Sequence, residues 1–177
     1  ITWNFNLDNS LVQYLADGET ITVTYTITVK DDSGTATDTS AAQTVTVVIT
    51  GTNDAPVIGT ATLTGTVTED ATPPAQTGTE TATGTIAFSD VDLTDTPSVD
   101  AAFKSTDYSS QLGSLTAVKT SDTSGGIGGL ITWTFTAGDA AINQLAAGQI
   151  VHETYTVTLT DGEGGVVERD IVVTIVG

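Results

Sequence analysis

Apolar residues alternate with threonine over several short stretches, a pattern typical of strands with one buried and one solvated face. The clearest case is 21–29, where Ile21, Val23 and Tyr25 alternate with threonines. The same alternation is found at 61–67, 84–88, 131–135, 151–159 and 171–175. Short strands separated by Gly-rich turns predict an antiparallel β-sandwich, and only two short segments, 8–18 and 139–148, have helical signals.

An internal repeat is the second feature of the pattern. Residues 1–34 align with residues 131–164 without a gap, and each copy is followed by one more apolar strand. The two copies are offset by 130 residues, so the repeat unit is about 125 to 130 residues long. A repeat unit of that length is a whole domain and not a short solenoid turn. Identical pairs in the alignment include Trp3/Trp133, Phe5/Phe135, Leu15/Leu145, Gly18/Gly148, Tyr25/Tyr155 and Asp31/Asp161.

The alignment predicts how the chain is organised. Residues 1–50 are expected to be the C-terminal part of a first repeat, 51–57 a linker, and 58–177 a complete second repeat. The chain is therefore expected to be an excerpt from a longer polypeptide. Trp3 and Trp133 occupy equivalent positions, and we expect both to fill a sandwich core.

Charge narrows the classes of partner. The chain has 4 Lys and Arg against 22 Asp and Glu, a formal net charge of -18. Binding to nucleic acid is excluded because basic side chains must neutralise the phosphates. No apolar run approaches the roughly 20 residues that span a bilayer, so no membrane insertion is expected. Hydrophobic residues make up 38%, enough for a core, and the acidic excess favours cations as partners.

Three segments carry candidate metal ligands. Asn53 and Asp54 lie in the linker, Asp90 and Asp92 follow an apolar strand on one face, and Asp161 lies in a turn before the last strand. Two carboxylates at a strand end repel each other, and a hard cation with oxygen ligands relieves that repulsion. The chain has no cysteine, which excludes disulfides and thiolate zinc sites.

The sequence also resembles a known family in its motifs. These are VTED at 67–70, SDVD at 89–92, TDGEG at 160–164 and GTNDAPVI at 51–58. Together they resemble the VCBS-type repeat, a cadherin-like module found in tandem in large RTX-type bacterial surface adhesins and biofilm proteins. The resemblance covers the whole chain. It implies a Greek-key, cadherin- or immunoglobulin-like fold and an extracellular location on the bacterial cell surface.

The resemblance also implies Ca²⁺ at the junction between repeats. The linker is shorter than the cadherin form and Gly51 replaces its leading aspartate, so one or two ions are expected in place of three. Glu69, at the end of the first strand, matches a glutamate that serves the next junction at the opposite pole of the domain. The residues matched to the near junction are Asn53, Asp54, Asp90, Asp92 and Asp161.

Two functions from different classes are consistent with these features. The first is a calcium-stiffened structural repeat, an extender module whose partners are neighbouring repeats. The second is a module that recognises a glycan or a surface through its loops, which an exposed aromatic cluster would favour. An enzyme is not expected, because the sole histidine, His152, lies on a solvated strand face with no catalytic triad around it. Residues 1–50 supply only later strands, so the missing strands are expected to come from residues upstream in the parent chain or, by strand complementation, from other copies.

Overall fold

The computed structural model describes residues 1–36, 38–70, 78–123 and 128–177. They form two compact units, Ile1–Thr52 and Asn53–Gly177. No helix in these described ranges is long and apolar enough to cross a membrane. The elements in chain order are a 3₁₀ helix (Asn9–Leu11), β1 (Thr20–Ile27), β2 (Gln43–Thr50), β3 (Val57–Ala61), β4 (Thr64–Thr68), β5 (Thr79–Ser89), β6 (Ser98–Thr106), β7 (Gly113–Ser121), β8 (Gly129–Gly138), α1 (Asp139–Ile142), β9 (Ile150–Thr160) and β10 (Val166–Val176).

The first unit is built on an antiparallel pair. β1 and β2 form a two-stranded sheet in which Thr20 lies opposite Thr50. The 3₁₀ helix begins after Asp8, whose carboxylate accepts a hydrogen bond from the Ser10 N–H at 3.0 Å. An aspartate at this position satisfies an N–H that a helix start leaves unpaired, which explains the short helical signal in this segment.

Trp3 does not lie in a core, contrary to the sequence-based expectation. Its side chain is 52% exposed, and residues 1–8 belong to no strand. Its counterpart Trp133 is fully buried. The difference has a simple physical cause: the described part of the first unit has one two-stranded sheet, and an isolated pair of strands has no second layer to cover an aromatic ring.

The second unit contains two four-stranded sheets. One has the order β3-β5-β8-β7 and the other the order β4-β10-β9-β6. Apolar residues from both sheets meet in one buried cluster, so the sheets pack face to face as a β-sandwich. The predicted all-β fold is confirmed at this level. Its largest fully buried side chains include Trp133, Tyr155, Phe135, Ile86, Ile131 and Leu159.

The segment 61–67, predicted as one strand, is divided between the two sheets. Thr62 donates its N–H to the carbonyl of Thr85 in the first sheet, at 2.8 Å. The carbonyl of Leu63 accepts the N–H of Val172 in the second sheet, at 2.9 Å. β4 then runs parallel to β10, with Val67 opposite Ile175. One pair is therefore parallel in sheets whose other pairs are antiparallel, and the sequence pattern did not reveal it, because alternation does not encode the direction of a partner strand.

Glycine at residue 84 allows the Trp133 ring to lie against β5. The two residues are opposite each other in the β5–β8 pair, and a Cβ at residue 84 would lie 2.7 Å from the Trp133 Nε1 atom. The indole N–H donates to the carbonyl of Thr62 at 2.8 Å. A buried tryptophan thus has both room for its ring and a partner for its only polar atom.

A carboxylate is also part of this core. Glu153 on β9 has no exposed surface, and it accepts hydrogen bonds from the N–H groups of Leu112 and Gly113. The Tyr155 hydroxyl donates to Glu153 at 2.7 Å. Burial, followed by this hydrogen bond, raises the pKa of Tyr155. The network connects β9 to the segment that leads into β7.

Candidate metal centre

The chain enters the second unit through two residues that bond to acidic side chains. Asn53 donates its side-chain amide N–H to Asp161 Oδ2 at 3.1 Å. Asp54 donates its backbone N–H to Asp92 Oδ2 at 2.7 Å. β3 begins three residues later at Val57. These two bonds attach the linker residues to the pole of the sandwich where β5 and β9 end, which we call the linker pole.

The turn between β9 and β10 holds Asp161 in place. Asp161 has no exposed surface, and its Oδ1 accepts the N–H groups of Glu163 at 2.7 Å and Gly165 at 2.9 Å. Gly162 and Gly164 have φ values of 98° and 108°, which L-residues with side chains rarely adopt. The DGEGG sequence therefore folds its backbone around the carboxylate.

The end of β5 supplies three more aspartates. Asp90, Asp92 and Asp95 are 8%, 1% and 8% exposed. The Asp92 N–H donates to Asp90 Oδ1 at 3.2 Å, which curls the chain after the strand. The Thr96 N–H donates to the carbonyl of Asp161 at 3.2 Å. The loop after β5 is thereby bonded to the β9–β10 turn, and the two acidic segments lie side by side.

Three of these carboxylates are close enough to share one cation. Asp90, Asp95 and Asp161 each offer an oxygen atom, and these atoms all lie within 4.8 Å of one another. Among the described residues, Asn53 Oδ1, Asp90 Oδ2 and Asp95 Oδ2 are buried and accept no hydrogen bond. Metal–oxygen distances of about 2.3–2.6 Å, as Ca²⁺ prefers, would permit oxygen separations of this size. The cluster could therefore hold a metal ion.

The electrostatics of the cluster are unfavourable in the absence of a positive charge. Burial, followed by the charges of Asp92 and Asp90, raises the pKa of Asp95 to about 6. Burial is also the main cause that raises the pKa of Asp90. Burial alone would also raise the pKa of Asp161. Hydrogen bonds from Asn53, Glu163 and Gly165 outweigh this effect, so the pKa of Asp161 is lowered. A cation would favour the charged form of all three.

The basic side chains of the chain lie elsewhere. Lys30, Lys104 and Lys119 form ion pairs with Asp38, Asp170 and Asp122. His152 Nδ1 lies 2.9 Å from Asp107, and Arg169 donates to the carbonyl of Glu168. Among the described residues, each of these basic side chains therefore pairs with a group other than Asp90, Asp95 or Asp161.

The residues singled out in the sequence have different positions. Asn53, Asp90, Asp92 and Asp161 gather at the linker pole, and Asp54 joins them through its backbone N–H. Glu69 lies at the opposite pole, where its N–H donates to the carbonyl of Val176 at 2.8 Å. β10 separates the two positions by about 35 Å, since a strand rises about 3.3 Å per residue. Glu69 cannot reach this cluster.

Asp95 was not among the predicted ligands. It lies beyond the end of β5, where strand alternation no longer indicates which face a residue occupies. The available signal was the spacing of three aspartates, at 90, 92 and 95, in one short loop.

No family model matches the chain, and a search of curated proteins finds no match.

Proposed function

We propose that the second unit binds Ca²⁺ at the linker pole, and that the chain is a calcium-stiffened extender repeat of a large bacterial surface adhesin or biofilm protein. The observation that carries this proposal is the set of three buried carboxylates within 4.8 Å of one another, two of which have an oxygen without a hydrogen-bond donor. A buried unpaired carboxylate is costly, and a bound cation removes that cost.

The donor atoms favour a hard cation. All of the side chains in the cluster offer oxygen, the chain has no cysteine, and the only histidine is paired with Asp107. Carboxylate and amide oxygens in an irregular arrangement suit Ca²⁺, which accepts six to eight oxygen ligands. In this proposal Asp90, Asp95 and Asp161 bind the ion, and Asn53 Oδ1 and the Asp92 carboxylate supply further oxygen ligands.

The position of the cluster supports a mechanical role. Asn53 and Asp54 are the first residues of the second unit, and both bond to acidic side chains of the cluster. A cation held there would relieve the repulsion between the carboxylates to which the linker is bonded. With Asn53 Oδ1 as a further ligand, it would tie the linker residues to the sandwich. The proposed role is structural and not catalytic. Weak affinity would suit an extracellular location, where Ca²⁺ is present at about millimolar concentration.

We also propose that the sandwich is a Greek-key fold of the cadherin and immunoglobulin type. Taking β3 and β4 together as a first strand A, and naming β5 to β10 B to G, the sheets have the orders A-B-E-D and A-G-F-C. Immunoglobulin constant-type domains have the orders A-B-E-D and C-F-G. The shared strand order supports the proposal independently of the acidic residues.

Small-angle X-ray scattering of the 177-residue chain tests the mechanical role. We expect a defined maximum dimension with Ca²⁺ and a broader distribution of distances with chelator, since chelation frees the linker. An Asp90→Asn, Asp92→Asn variant should resemble the chelated chain in both conditions. Circular dichroism of the same samples controls for unfolding of the sandwich. Equal distance distributions in all conditions would contradict the stiffening role.

A further inference from the structure

Gly165 lies where the β9–β10 turn meets the linker. It is buried, and its backbone bonds twice to Asp161. Its N–H donates to Asp161 Oδ1 at 2.9 Å, and its carbonyl accepts the N–H of Asp161 at 3.2 Å. The backbone of residue 165 therefore fixes the position of one of the proposed calcium ligands, although Gly165 is not one of them.

Two groups leave no room for a side chain at residue 165. A Cβ there would overlap Asp161 Oδ2 and would lie 2.8 Å from the Cα atom of Ala55. Asp161 has no exposed surface, and the Ala55 Cα atom belongs to the linker backbone, so neither group can move aside freely. The linker and the Asp161 carboxylate therefore lie against the same glycine.

The need for glycine at residue 165 is steric. Gly162 and Gly164, in the same turn, have φ values of 98° and 108°, which disfavour a side chain by their backbone conformation alone. The φ of Gly165 lies outside this left-handed region, so alanine could adopt it. A substitution at residue 165 therefore changes the contact between turn and linker and not the preferred backbone of the turn.

We propose that Gly165 is a positioning residue of the calcium site, and that its contact with Ala55 couples the affinity of the site to the docking of the linker. This coupling depends on the calcium site proposed above. Asn53, two residues before Ala55, donates to Asp161 and has a buried oxygen without a donor among the described residues. A linker that is packed on Gly165 therefore keeps this amide beside the carboxylates.

Coupling between two sites is reciprocal: if bound Ca²⁺ strengthens docking of the linker, release of the linker weakens Ca²⁺ binding by the same factor. A pull on the linker that separated Ala55 from Gly165 would therefore favour loss of the ion. The linker would regulate the calcium site in addition to being stiffened by it.

Calorimetric titration of the 177-residue chain with Ca²⁺ tests the role of Gly165. Gly165→Ala should raise the dissociation constant roughly 10–100-fold, as loss of a group that orients a metal ligand does. Gly138→Ala is the control and should bind like the wild type, because a Cβ at residue 138 meets nothing within 4 Å and its φ is -79°. Equal affinities of the Gly165→Ala and wild-type chains would overturn the positioning role alone. Absence of binding to the wild type would overturn the proposed function together with it.

A variant on the linker side tests the coupling without a steric collision. Ala55 is exposed, so Ala55→Gly leaves the core intact. We expect the dissociation constant for Ca²⁺ to rise about threefold, since glycine increases the conformational entropy that docking of the linker must remove. Ala41→Gly, at an exposed position of the first unit, is the control and should bind like the wild type. Unchanged affinity in Ala55→Gly would overturn the coupling.

Amide exchange measured by NMR reports on the linker directly. The N–H of Asp54 donates to Asp92 Oδ2 at 2.7 Å, so its exchange with solvent is slow only while the linker is docked. Gly165→Ala should speed this exchange at the same Ca²⁺ concentration, while the amides of β8 keep their protection. Equal loss of protection in β8 would show that the substitution acts through the stability of the whole sandwich, and would overturn the positioning role.

Discussion

Asn53 and Asp161 are 108 positions apart in the chain, and their side chains share a hydrogen bond of 3.1 Å at one pole of the sandwich. The bond connects the linker with the turn before the last strand. It leaves Asn53 Oδ1 buried beside the carboxylates without a hydrogen-bond donor among the described residues. An amide that donates to one carboxylate of the cluster and has a buried oxygen without a donor is consistent with the proposed cation-binding centre.

Asn53→Ala should weaken Ca²⁺ binding by about tenfold, because it removes a donor to Asp161 and a candidate ligand oxygen. Calorimetry on the intact chain measures the change. The matched control is Asn143→Ala, which removes the same side chain at the other end of the unit. Asn143 is close in sequence to Gly148 and Gln149, which form backbone hydrogen bonds with Gly177 after the end of β10. A variant at residue 53 with unchanged affinity would remove Asn53 from the site.

The stability of the chain in chelator should fall as pH rises from about 4 to 6. Asp95 has a pKa of about 6 in the folded unit against its ordinary value of 3.8, so in this window the folded state binds more protons than the unfolded state. By linkage, stability then decreases with rising pH, by up to about 1.4 kcal/mol per pKa unit. The pKa of Asp161 is lowered, so this carboxylate stabilises the folded state when it is charged, and that stabilisation is lost only as pH falls below this window.

Thermal unfolding at several pH values, with and without Ca²⁺, checks this prediction. Ca²⁺ should reverse the trend, since a cation favours the charged carboxylates. The Asp95→Asn variant should lose most of the pH dependence in chelator. A wild-type chain that becomes more stable from pH 4 to 6 in chelator would contradict the assignment of Asp95.

Much of the fold was predictable from local pattern, since β8, β9 and β10 each contain a segment that the alternation predicted. The parallel β4–β10 pair was not, because a partner's direction depends on residues far away in the chain. Of the cluster, Asp90 and Asp161 were predictable from a strand end and a turn. Asp95 was not, because its position depends on how the loop after β5 bonds to the β9–β10 turn.

Gly84→Val should destabilise the second unit by about 2–4 kcal/mol, since its side chain would overlap the buried Trp133 ring. Urea unfolding followed by circular dichroism measures the loss. Gly59→Ala is the control, because a Cβ there lies at 3.6 Å from the nearest atom, an ordinary contact. If both substitutions had equal effects, the packing of Trp133 against residue 84 would not be a determinant of stability.

Glu153→Gln should cost about 2–4 kcal/mol of stability and leave Ca²⁺ affinity unchanged. In the wild type, the two carboxylate oxygens of Glu153 accept hydrogen bonds from the N–H groups of Leu112 and Gly113. The glutamine side chain would replace one of these oxygens with an NH₂ group, so that donor would face donor and one hydrogen bond would be lost. Glu168→Gln, an exposed substitution on β10, is the control and should be neutral. Loss of Ca²⁺ binding in a folded Glu153→Gln chain would show that the core network and the linker pole are coupled.

Calorimetric titration of the metal-free chain with Ca²⁺ tests the central claim most directly. The wild-type chain should bind with a dissociation constant of about 10⁻⁴–10⁻³ M, as extracellular modules do. An Asp90→Asn, Asp95→Asn variant should show no binding in this range. An Asp100→Asn, Glu168→Gln variant, which removes the same charge from exposed positions of the unit, should bind like the wild type. Absence of binding to the wild type, or equal loss in both variants, would contradict a calcium site at the linker pole.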